Sequence, residues 1–131
     1  MNCAFSAGIV YELAREYDLK PAIMIGTSGS AGTFAAYVAG QPESIFKIWN
    51  ELLSDSHFIN FLHFSRIIDI DYLVDTVFKH LEPIHMDVIA HAPTDLYIAV
   101  TEYETGECRY LRARDHASSV FDYVRASDAL P

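Results

Sequence analysis

Within residues 22–33, AIMIGTSGSAGT, two serines stand among small residues, between an apolar run and a helix-forming run. Ala22 to Ile25 reads as a short strand. Gly26, Thr27, Ser28, Gly29 and Ser30 follow at once, and Ala31 to Ala39 reads as a helix made almost wholly of small residues. Strand, sharp turn and helix in that order are the setting of a nucleophile elbow. A serine there meets the free N–H groups and the positive dipole end of the helix, which favour an attacking Oγ and a developing oxyanion. The chemistry is acyl transfer through a serine-bound intermediate. Ser28 is the expected nucleophile because it directly follows the turn out of the strand. Gly26 and Ser30 supply the small side chains that the turn needs two residues to either side, and Gly29 follows the nucleophile as an oxyanion donor. The pattern G-x-S-x-G is incomplete, since Ser30 stands where the second glycine belongs. Moving the frame to make Ser30 the nucleophile loses the first glycine instead. A small-residue turn that only packs a helix on a sheet fits the same residues. Phosphate binding fits them less well: Ser28 breaks G-x-G-x-x-G, and no Lys-Ser/Thr pair follows for a P-loop.

Other side chains of chemical interest are scattered. His57, His63, His80, His85, His91 and His116 include no pair three or four apart, so no helix face presents two imidazoles to a metal. Asp69, Asp71 and Asp75 fit a helix cap and a solvated face better than a cation cluster. The order Ser28, Asp95, His116 can be forced into an α/β-hydrolase triad, but nothing near His116 marks a catalytic loop. Cys3 and Cys108 lie far apart and form neither a disulfide framework nor a zinc pattern, so a reducing compartment, the cytoplasm, is expected. No cofactor signature is read.

The elements that must position Ser28 can be laid out from periodicity. A helix from about Cys3 to Asp18, capped by Asn2, has Phe5, Ile9, Val10, Leu13, Ala14 and Tyr17 on one stripe. Lys20-Pro21 leads into the strand at 22–25. After the elbow helix Gly40 is a C-cap and Pro42 opens another helix, with Ile45, Ile48, Trp49, Leu52 and Leu53 as its apolar face. Residues 58–64, FINFLHF, are dense in aromatics and fit either a lipid-contacting flap or a core segment. Asp69 or Asp71 opens a helix with Tyr72, Leu73, Val77, Phe78 and Leu81 turned inward, and Pro83 ends it. Residues 85–91 add a helical turn. Asp95 to Tyr103 is a strand buried on both faces, with Gly106 in the turn to its hairpin partner, Cys108 to Arg112. Ala117 to Ala126 is the last helix, with Val120, Phe121 and Val124 inward. The elements make one α/β domain over residues 1–131, with a mainly parallel central sheet and helices on both faces.

The 131 residues suffice for one core. A net charge of −9 without any basic cluster makes nucleic acid and anionic membrane surfaces poor electrostatic partners. No run is long enough to span a bilayer.

In its motifs and their order the chain resembles the patatin-like phospholipases, specifically the bacterial type. FSAGIVYEL, from Phe5 to Leu13, is similar to the helix after that family's glycine-rich loop. IGTSGSAGTFAAYVAGQ, residues 25–41, matches its elbow and following helix without a gap. FINFLHF and IDIDYLVDTVF resemble its next segments, TEYETGE (residues 101–107) its "T-D-x-x-T-G-E", and RASDALP (residues 125–131) its "R-A-S-x-A-x-P". The resemblance implies a three-layer sandwich, and a serine acyl hydrolase acting on lipid esters through a Ser-Asp dyad, with Ser28 as nucleophile and no metal. It implies that the base lies in a D-G-G or D-G-A motif shortly beyond Pro131, and that Asp128 occupies the variable position and is not that base. The oxyanion loop, G-G-G-x-R/K-G, falls before the first helix, with Cys3 where its last glycine is expected. The residues thus match the middle of a family domain. By themselves they are expected to lack esterase activity. A non-catalytic module binding an anionic ligand at the helix after Ser28, or an inactive relative, is the alternative. The motifs do not encode the lipid, its chain length or the ester position.

Overall fold

The computed structural model describes residues 2–53 and 69–129. It is an α/β arrangement around a small mixed sheet of three strands. The order along the chain is α1 (Asn2–Tyr17), β1 (Ile23–Gly26), α2 (Gly29–Val38), α3 (Pro42–Lys47, continued by wider turns over Ile48–Leu52), α4 (Tyr72–Leu81), α5 (Met86–His91), β2 (Asp95–Thr101), β3 (Cys108–Arg112), a tight-turned segment Ala113–Ser119 and α6 (Val120–Asp128). The aromatic run at 58–64 lies outside the described residues.

β2 is the middle strand. β1 runs parallel to it, with Ile23 opposite Asp95 and Gly26 opposite Ile98. β3 returns antiparallel, with Thr101 opposite Cys108 and Tyr97 opposite Arg112. The expected sheet was mainly parallel. Here one pair is parallel and one antiparallel, because the short turn around Gly106, at φ +72°, sends the chain straight back beside β2.

One face of the sheet carries Met24, Gly26, Leu96 and Ile98. Leu96 and Ile98 are almost fully buried there, and α2 packs against β1 and β2. Small residues make this close: Ala31, Ala35 and Ala36 have no exposed surface, and a Cβ on Gly32 would stand 2.5 Å from Phe78 Cζ. On the other face Ile23 and Ile25 are 57% and 55% exposed, so the expected burial of both faces holds for one only. Among the described residues, no helix covers that side of β1.

The stripe expected on α1 is rotated. Ala7 is buried and Val10 and Tyr11 are partly so, whereas Phe5 and Tyr17 are 74% exposed and Ile9 is exposed too. The reason is the small-residue surface of α2, which admits the helix edge with the shortest side chains. In α4, Leu73, Val74, Val77 and Phe78 turn inward and Leu81 does not. Asp69 opens this helix: its carboxylate accepts the Tyr72 N–H at 2.8 Å. Gly40, at φ +74°, closes α2 with its N–H on Tyr37 O and the Gln41 N–H on Ala36 O, both 2.9 Å, a Schellman pair. No described helix is long and apolar enough to cross a membrane.

Candidate active site

Ser28 stands between the C-terminal end of β1 and the first turn of α2, exposed to solvent. Its backbone adopts φ 50°, ψ −140°. A non-glycine residue in this region is strained by about 1–3 kcal/mol, so neighbouring contacts must hold it there. Two such contacts are visible. The Ser28 N–H donates to Ser127 Oγ at 2.8 Å, and the Ser127 hydroxyl donates onward to the Ala99 carbonyl of β2 at 2.6 Å. On the other side the Ser28 carbonyl accepts the Ala31 N–H at 2.7 Å, starting the helix.

The two glycines are required by space rather than by φ. A Cβ on Gly26 would meet Ala31 Cα at 2.7 Å and Ser30 O at 3.1 Å. A Cβ on Gly29 would meet Cys3 Sγ at 2.8 Å and Trp49 Cη2 at 3.2 Å. The start of α2 is therefore wedged between α1 and the turns that follow α3. Trp49 Nε1–H donates to Thr33 Oγ1 at 2.9 Å, and Thr33 donates to the Gly29 carbonyl at 3.1 Å, fixing the same turn from outside. The Gly29 N–H belongs to the four that a helix leaves without an intrahelical acceptor.

Ser30 differs sharply from Ser28. Its hydroxyl donates to Thr27 O at 2.7 Å and accepts the Thr27 N–H at 2.8 Å. Both capacities of that hydroxyl close the turn, leaving Ser28 as the serine that faces outward.

Asp95 and His116 do not join Ser28. β1 and β2 are parallel, so Asp95, opposite Ile23, begins β2 at the far end of the strands from Ser28. Its carboxylate is taken by Arg112 at 2.7 Å and by Arg114 at 2.6 Å, and the Arg112 hydrogen bond holds its pKa below the ordinary aspartate value. The forced triad is therefore ruled out by topology. A groove of about 720 Å³ also lies at that far end, between Asp18, Lys20, Tyr37, Asp87 and His91, and does not include Ser28.

Sequence reasoning passed over Asp128, which the fold brings to the elbow. The end of α6 packs on β2 and α2. Arg125 binds Asp71 and, at 2.8 Å, Asp75, which ties α6 to α4; the Lys79 hydrogen bond first and Arg125 second pull Asp75 down to about 2. Ser127 then meets the Ser28 backbone, and Asp128, only 6% exposed, turns its carboxyl to the Ser28 side chain. Burial pushes Asp128 up to about 6, and the hydrogen bond with Ser28 opposes that rise. Its Oδ2 has no hydrogen-bond partner among the described residues. The signal in the sequence was the run Arg125, Ser127, Asp128 at the end of an amphipathic helix, where three polar residues have three different partners.

No protein-family profile matches the chain, and no solved structure does. The chain is distantly homologous to the uncharacterized protein YjjU of Escherichia coli (strain K12), at 27% identity over 141 aligned residues. The alignment takes in 97% of this chain and 36% of YjjU, so the chain spans about a third of that relative's length.

Proposed function

We propose that the intact protein is a serine acyl hydrolase of the patatin-like type, cleaving lipid esters with Ser28 as nucleophile. The observation that carries this reading is the strained backbone of Ser28 on a complete strand–turn–helix, with the neighbouring Ser30 hydroxyl consumed by the turn. A packing turn has no need of a serine held at positive φ, and an elbow does. The motif resemblance supports the same assignment and adds the substrate class.

The reaction runs in two stages. Ser28 Oγ attacks the ester carbonyl while a carboxylate takes its proton; the resemblance implies that this carboxylate belongs to an aspartate beyond Pro131. Backbone N–H groups hold the oxyanion, the Gly29 N–H among them, each such donor contributing about 2.7–4 kcal/mol of transition-state stabilisation. The acyl-enzyme is then hydrolysed to release the fatty acid. In this reading the enzyme is cytoplasmic, and the aromatic residues 58–64 provide its peripheral contact with aggregated lipid.

The test is covalent labelling of the intact protein by a p-nitrophenyl alkylphosphonate, with the adduct located by peptide mass spectrometry. The adduct is expected on Ser28 and absent from Ser28→Ala. Labelling that persists in Ser28→Ala, or a wild type that takes no adduct, contradicts the proposal and favours a ligand-binding module.

A further inference from the structure

The carboxyl of Asp128 is buried, half unpartnered and turned to the one side chain to which the proposed reaction assigns chemistry. A buried carboxylate without a compensating charge is costly, and such a group is retained where it has work at a site. The charged residues on the elements packed against α6 are occupied elsewhere. Asp95 of β2 is held by Arg112 and Arg114. Arg125 of α6 itself is held by Asp71 and Asp75, and Lys79 of α4 by Asp75. Asp115 and His116 lie on the segment before α6, Asp122 on α6 and His80 on α4, while α2 has no charged residue. None of these charges contributes to the titration of Asp128, which burial and the Ser28 hydroxyl alone determine.

Resting on Ser28 as the nucleophile, we propose that Asp128 is a catalytic carboxylate of the same site, accepting the hydrogen bond of Ser28 Oγ–H and taking that proton when Oγ attacks the ester. In this step the Oγ–H bond breaks and the Oγ–C bond forms. The proton goes to the Asp128 carboxylate and the carbonyl π pair to the oxygen. When the tetrahedral intermediate collapses, that pair returns, the C–O bond to the alcohol breaks, and the alcohol leaves with the proton from Asp128. A base with a pKa near 6 is ionised at neutral pH yet basic enough to accept the proton. The neighbouring Ser127 keeps the pair in register, since its hydroxyl links the Ser28 N–H to β2.

The experiment measures the second-order rate of p-nitrophenyl ethylphosphonate labelling between pH 4.5 and 9, for the wild type, Ser28→Ala, Asp128→Asn and Asp128→Glu. The wild-type rate is expected to rise through an apparent pKa near 6 and level off. Asp128→Asn should fall by about 100-fold or more and lose that inflection, and Asp128→Glu should keep part of the rate with the inflection. An adduct that is lost in Ser28→Ala but undiminished in Asp128→Asn, with the same pH profile, overturns this assignment alone. It returns the proton to the aspartate implied beyond Pro131. An adduct that survives Ser28→Ala overturns the nucleophile instead. Should Asp128→Asn fail to fold, as read by circular dichroism, the wild-type profile decides, because a rate that is flat between pH 5 and 7 contradicts the proposal.

Discussion

At the scale of single residues, Ser28 and Ser30 differ in what their hydroxyls are free to do. Two residues apart in one turn, they look interchangeable as letters, yet Ser30 gives both its donor and its acceptor to Thr27. Asp128 adds a consequence for stability. Its carboxyl has a higher pKa folded, about 6, than its ordinary 3.8, so the folded state binds the proton more tightly than the unfolded one. Stability contributed by the protonated form is present below about pH 4 and lost as pH rises through about 6. Asp128→Asn, which carries no charge at any pH, is therefore expected to gain on the wild type across that window, by about 2–3 kcal/mol at pH 8. Thermal melts of both proteins from pH 4 to 8 check this. A difference in Tm that does not grow with pH would show that the Asp128 side chain is solvated rather than buried against Ser28.

The elements around the elbow act by closeness. β1, α2 and the turn between them were legible because apolar residues, then small residues, then alanines follow each other without interruption. The hairpin was legible from Gly106, and the close of α2 from Gly40, since both adopt positive φ. The rotation of α1 was not legible. Periodicity finds the largest apolar residues, but the packed edge is the one bearing Ala7, because α2 presents alanines and can be approached closely. Asp128 was not legible for a related reason: its meaning depends on a contact with Ser28 a hundred residues away. Gly26 tests the closeness itself. In Gly26→Ala the new methyl would meet Ala31 backbone, which cannot rotate away, so a loss of about 1–3 kcal/mol in urea unfolding is expected, with α2 shifted from the strand. A variant as stable as the wild type would mean that β1 and α2 sit further apart than described.

For the whole molecule, the described residues make one well-packed face and leave another open. Leu96, Ile98, Val74, Val77, Val120 and Val124 lie in the core, while Ile23, Ile25, Phe5 and Tyr17 remain exposed. The site sits at the carboxyl end of the parallel pair β1 and β2, where α/β sheets present their ligands, and the end of the last helix reaches back to it. Three segments distant in sequence thus meet at Ser28: the strand before it, the helix after it and the Ser127–Asp128 end of α6. The central claim is that this meeting point breaks ester bonds with Ser28. Hydrolysis of a short-chain p-nitrophenyl ester by the intact protein tests it most directly, with Ser28→Ala and Ser30→Ala measured beside the wild type. The account predicts turnover in the wild type, its loss by several orders of magnitude in Ser28→Ala, and retention of most of it in Ser30→Ala, provided that variant stays folded. Turnover kept in Ser28→Ala and abolished in a folded Ser30→Ala would contradict it.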